Sequence, residues 1–145
     1  MKISDEPIIV EQIFNSSIES VWEAITQIEL MRKWYFDNIP DFKPEIGFKT
    51  KFNVESGFRN FVHKWVITEV QLGKMIKYTW EFEEYSGKSS TTFKLSRQND
   101  LTKLKLTVDV LENFEGNIPE FERESCIEGW QYFINNRLNK FLCSV

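Results

Sequence analysis

His63 is the only histidine in the chain, and it stands two residues before Trp65 in a stretch rich in β-branched and aromatic residues. If that face of a strand points inward, the imidazole can meet Glu69 or Tyr78 across a sheet as an acid/base pair. The alternative is a histidine of the core or the surface, satisfied by its neighbours. One histidine cannot make a conventional zinc site, because Cys126 and Cys143 lack ligand spacing and paired His or Cys motifs are missing. No metal and no cofactor is expected. Both cysteines fall in one helical stretch, where a rise of 1.5 Å per residue holds them roughly 25 Å apart and forbids a bridge. They read as reduced thiols of a cytoplasmic protein. Cys126, placed well inside that helix, gains little from the positive helix end and reads as packing. Gly-rich phosphate loops, nucleophile elbows and paired catalytic carboxylates are all missing, so no catalytic residue is assigned. The acidic group Glu112, Glu115, Glu120, Glu122 and Glu124 suits a helix start and a solvated face; recognition of a basic partner is its other use.

The remaining chemistry is apolar. Thirteen Phe, five Trp and four Tyr make up 15% of the 145 residues, a heavy aromatic load that excludes disorder. Such a length makes about one domain, spanning residues 1–145, and buries roughly 68–70% of its unfolded surface without disulfides or metal. Eighteen Lys and Arg against 22 Asp and Glu give a net charge of -4. With no long basic run, a phosphate-tracking nucleic-acid binder is excluded. No apolar stretch has the length of a signal peptide or a membrane span.

These side chains need elements to position them. Pro7 to Phe14 alternates around a β-branched centre and predicts a strand. Ser16 and Glu19 form a capping box for a short helix running to about Thr26, and Glu29 to Tyr35 predicts a second. Pro40, Asp41, Pro44 and Gly47 then break the pattern. From Phe48 the period becomes two, with turns at Ser56 and Gly57, Gly73 and Lys74, Ser86 to Lys88, and Asn99 and Asp100. The stretch from Asn60 to Leu72 is apolar on both faces, so its inward face stays open. The clearest strand holds Ile76, Tyr78, Trp80 and Phe82 on one face, and Thr91, Phe93 and Leu95 face one way in the next. Short turns imply an antiparallel meander of about six strands. After Pro119 a long helix begins, with Ile127, Trp130, Ile134, Leu138 and Phe141 at three- and four-residue spacing.

The fold class that follows is α+β. A curved antiparallel sheet of about six to seven strands wraps a long C-terminal helix, and two short helices follow the first strand. Sheet and helix rarely touch along their whole length in such a shape, which predicts a pocket lined by Tyr78, Trp80, Phe93 and the inner helix face. Its aromatic lining calls for a small hydrophobic molecule. Gly129 is expected to let the helix approach its neighbours closely.

The segment Trp22-Glu23-Ala24-Ile25-Thr26, then Trp34, then Trp65-Val66-Ile67-Thr68-Glu69-Val70, Tyr78-Thr79-Trp80 and Gly129-Trp130 together resemble the activator of heat-shock-protein ATPase homologues. That family belongs to the START-like (SRPBCC) helix-grip superfamily, which also holds pollen allergens, polyketide cyclases and lipid-transfer domains. The resemblance spans nearly the whole chain. It implies a helix-grip domain with a hydrophobic cavity for a small, lipid-like or polyketide-like ligand, lined here by His63, Trp65, Ile67, Tyr78, Trp80, Phe93, Trp130 and Ile134. It also implies two other readings: a co-chaperone-like regulator with a chaperone partner, and a cyclase- or hydrolase-like enzyme using His63. Two departures stand out. The position of Trp65 is often small in the family, so an inward indole would fill much of the cavity, and the chain lacks room for the separate N-terminal domain of the co-chaperones.

Overall fold

A computed structural model describes residues 1–144. Strand β1 (Ile8–Phe14) leads into helices α1 (Ile18–Thr26) and α2 (Ile28–Trp34). Five strands follow, β2 (Lys49–Ser56), β3 (Arg59–Gln71), β4 (Met75–Phe82), β5 (Lys88–Gln98) and β6 (Leu101–Glu112). They form one antiparallel sheet in the order β1-β6-β5-β4-β3-β2. The meander therefore has five strands, and β1 returns as the sixth by pairing with β6.

The C-terminal helix begins after a 3-10 turn at Pro119–Phe121, with Glu122 still extended. It runs as α3 (Arg123–Gln131), a π-helical segment (Tyr132–Leu138) and α4 (Asn139–Cys143), 21 residues in all. Pro119 thus opens the 3-10 turn and not the helix. Trp130, Ile134, Leu138 and Leu142 are its buried residues. Steps of four residues overshoot an α-helical turn by about 40° each, and the wider π turns absorb that overshoot and keep the row facing the sheet. Asn135 Nδ2 donates to Glu11 O at 3.0 Å and to Gln12 Oε1 at 2.8 Å, pinning the helix across the β1 edge.

The cap of α1 lies one residue later than the sequence pattern suggested. Ser17 Oγ accepts from Ser20 N at 3.1 Å, while Ser16 O accepts from Thr102 Oγ1 at 2.7 Å and stays outside the helix. Glu19, released from capping, pairs with Arg97 at 3.1 Å. Trp34, fully buried, donates from Nε1 to Ala24 O at 2.7 Å and so ties α2 to α1. Beyond it, Tyr35 leaves helical geometry, which turns its ring into the middle of the molecule.

Strand β3 turns Phe61, His63, Trp65 and Ile67 inward and leaves Val62 and Val66 half-buried outside. A bulge between Ile67 and Glu69 then shifts the register against β4, and Val70 joins the core from the position that the alternation assigns to the other face. Among the described residues no helix is long and apolar enough to cross a membrane.

Candidate functional site: an apolar cavity between sheet and helix

The centre of the grip is packed with rings. Tyr35 stacks on Trp34 at 4.6 Å and lies 5.3 Å from Trp65 and 5.8 Å from Trp130, centroid to centroid. Trp65, 1% exposed, meets Phe52 at 4.9 Å, Tyr78 at 4.8 Å and Trp80 at 5.1 Å. The two phenols, Tyr35 and Tyr78, share a hydrogen bond of 3.0 Å. Burial holds both well above the ordinary tyrosine pKa, so both stay protonated and neither acts as a base.

His63 also belongs to this packing. Its ring stacks on Phe52 at 5.1 Å and meets Phe82 edge-on at 4.8 Å. Nδ1 lies 2.9 Å from Phe61 O, a carbonyl that can only accept, so Nδ1 carries the proton of the neutral ring. Burial lowers its pKa to about 4. The acid/base pairing envisaged for His63 is not built. Its cross-strand partners are Phe52 and Phe82, Tyr78 lies opposite Ile67, and Glu69 lies beyond the bulge opposite Lys77.

Space remains toward the helix N-terminus, where an apolar cavity of about 150 Å³ separates sheet from helix. The sheet supplies Trp80, Phe82, Ser89, Thr91 and Val108, and the helix supplies Cys126, Gly129, Trp130 and Phe133. Met1, Phe114, Glu120 and Phe121 close one end. That end is tied down: Met1 donates its ammonium to Phe121 O at 2.9 Å and accepts from Phe114 N at 3.0 Å. Glu120, at the rim, accepts from Ser56 Oγ at 2.8 Å and pairs with Arg59 at 3.4 Å, so its carboxylate is already engaged. Gly87, at φ +124°, lets Phe114 sit where a Cβ would come within 2.4 Å of the ring.

Of the residues that sequence reasoning gathered for a pocket, Trp80 and Trp130 line this cavity. His63, Trp65, Ile67, Tyr78, Phe93 and Ile134 are instead buried in the ring-filled core beside it. Thr91 and Phe82 were legible as neighbours on the inward stripes. Phe114, Phe121 and Met1 were not, since loop and terminal residues carry no periodicity.

Gly129 reverses its expected role. A Cβ there would meet nothing within 4 Å, so the missing side chain does not serve a close helix contact; the residue instead lines the cavity. Cys126 is the fourth residue of α3, not deep within it. Burial nonetheless pushes its thiol up to about 11, against the pull of the nearby N-terminal ammonium and Arg123, so it stays a packed thiol at neutral pH. A second hollow, about 450 Å³ and more polar, shares Phe133 and is otherwise lined by Tyr35, Phe36, Asp37, Asn38, Asn53, Val54, Glu55 and Arg137. Among the described residues no group of three or more His, Cys, Asp or Glu could hold a metal ion.

Comparison with known proteins places this geometry. Residues 15–142 match the sequence profile of a family described as "Activator of Hsp90 ATPase homolog 1-like protein". No curated protein matches the chain significantly. Among solved structures, MLL2253 from Mesorhizobium loti is 25% identical with a TM-score of 0.73, the alignment covering 97% of this chain and 98% of that one. Protein CV1439 from Chromobacterium violaceum is 19% identical with a TM-score of 0.78, covering 94% and 96%. DynU16, a protein in the dynemicin biosynthetic locus, is 18% identical with a TM-score of 0.78; the alignment covers 97% of this chain but only 48% of DynU16, so the chain spans about half of that protein's length.

Proposed function

The chain belongs to the family of activator of Hsp90 ATPase homolog 1-like proteins, and from that membership we propose that it binds a small, uncharged, largely apolar molecule in the cavity under Gly129. The observation that carries this reading is the cavity itself: an apolar space of about 150 Å³, walled by Trp80, Phe82, Trp130 and Phe133, with Gly129 in its lining. An apolar cavity of roughly this size has room for a molecule such as benzene. Its one lining carboxylate, Glu120, already has partners, which disfavours a cationic ligand. The hydroxyls of Ser89 and Thr91 are the polar groups of the sheet wall and suit a ligand with one hydrogen-bonding group. We place the protein in the cytoplasm, where Cys126 and Cys143 remain the free thiols they are here.

A Cβ at position 129 meets no neighbour within 4 Å, so leucine there adds bulk to the cavity lining without a backbone or Cβ clash. Fluorobenzene, followed by 19F NMR and by the emission of Trp80 and Trp130, should bind the unaltered protein, and Gly129→Leu should weaken it by about tenfold or more. Absence of binding up to the solubility limit would remove this reading. The family's description favours a second one, regulation of a chaperone through the outer surface. It predicts that an Hsp90 ATPase changes rate when the protein is added, and an unchanged rate would eliminate it. A cyclase- or hydrolase-like role draws no support from His63, which faces the packed core and spends its Nδ1 proton on a backbone carbonyl.

A further inference from the structure

The cavity is too small to hold its ligand tightly. A single aromatic ring hides about 150 Å² of apolar surface, enough for millimolar binding at best once association costs are met. Small-molecule sites ordinarily enclose about 300–1,000 Å³. The second hollow supplies the missing room, and one side chain, Phe133, lines both spaces. Trp80 and Trp130 line the first space, Tyr35 and Phe36 line the second together with the charged Asp37, Glu55 and Arg137, and the two sets of rings pack against each other, Tyr35 5.8 Å from Trp130 and Phe36 6.1 Å from Trp80.

We propose that Phe133 is a movable partition between the two hollows and sets the size of ligand the protein accepts. With the ring in place the site takes one ring; with the ring displaced the hollows join and take a fused two-ring or similarly elongated apolar molecule. Two further observations carry the argument. Phe133 is only partly buried, and its closest aromatic neighbours, Tyr35 and Phe36, meet it as T-shaped pairs with centroids 5.0 Å away. Such edge contacts are individually weak, within reach of what a second buried ring returns. The residue also sits in the π-helical segment Tyr132–Leu138. A π turn carries more residues than an α turn, so sliding that irregularity along the helix rotates Phe133 without breaking the helix.

The proposal rests on the cavity reading above, and its test separates the two. Binding of fluorobenzene and of 2-fluoronaphthalene is measured by 19F NMR on the unaltered protein, Phe133→Ala and Phe133→Leu, with circular dichroism confirming that each variant is folded. Removing the partition should tighten 2-fluoronaphthalene by about tenfold or more in Phe133→Ala, and less in Phe133→Leu, while fluorobenzene, which loses one wall of its cavity, should weaken in both, so the preference for two rings over one rises. If fluorobenzene binds and 2-fluoronaphthalene gains nothing from either variant, Phe133 is not the divider and the cavity reading stands. If neither compound binds any of the three proteins, both ideas fall.

Discussion

Replacing Trp65 with alanine should destabilise the protein by about 3–5 kcal/mol, seen as a lower urea midpoint with little change in slope. The indole is 1% exposed and touches rings from α2's end, β2 and β4, so no neighbour can collapse into the vacated space without leaving its own contacts. One feature moderates the loss: Trp65 Nε1 is buried with no hydrogen-bond partner, and an unmet donor costs roughly 1–3 kcal/mol. Phenylalanine keeps a ring and drops the N-H, and should therefore cost about 1 kcal/mol or less. A phenylalanine variant as unstable as the alanine one would show that shape alone holds the site. The alanine variant should also take up a ring at the centre, where the unaltered protein has no room.

The architecture was readable because its signals are periodic. Tyr78, Trp80 and Phe82 alternate with polar residues, Gly57, Gly73 and Asn99 adopt the positive φ that tight turns demand, and Trp130, Ile134 and Leu138 mark one helix face. Where both faces of a strand are apolar, periodicity has nothing to say. Strand β3 is that case, and the choice between Trp65 and Val66 as the inward residue is made by the neighbours in β2 and β4. The site was less readable than the fold for a related reason. A cavity exists where side chains fail to meet, and that depends on the volumes of residues far apart in the chain. The inward stripe correctly marked large rings, yet most of those rings fill the grip, and the apolar cavity survives where Ser89, Thr91 and Gly129 contribute little bulk. Tyr35 escaped notice for a local reason, since the helical pattern runs through it while its backbone departs from the helix.

His63 should make the protein sensitive to mild acid. In the folded state burial depresses its pKa to about 4, whereas in the unfolded chain it lies near 6.5. Between those values the unfolded chain binds the extra proton, so stability rises with pH there. The contribution is fully present above about pH 6.5 and is lost as pH falls toward 4. Integrated from pH 7 to pH 5, the loss is roughly 2 kcal/mol, and it approaches about 3 kcal/mol by pH 4. Carboxylates titrate in the same window, so the histidine must be isolated by difference. Phenylalanine suits that purpose, because the ring already packs against Phe36, Phe52 and Phe82. At pH 7 His63→Phe should lose about 1 kcal/mol with the hydrogen bond to Phe61 O. At pH 5 that deficit should reverse, leaving the variant the more stable protein by about 1 kcal/mol in urea unfolding followed by tryptophan fluorescence. Parallel stability curves for the two proteins across this range would mean that the imidazole is reached by water or paired in its charged form. Either would return His63 to consideration as an acid/base group.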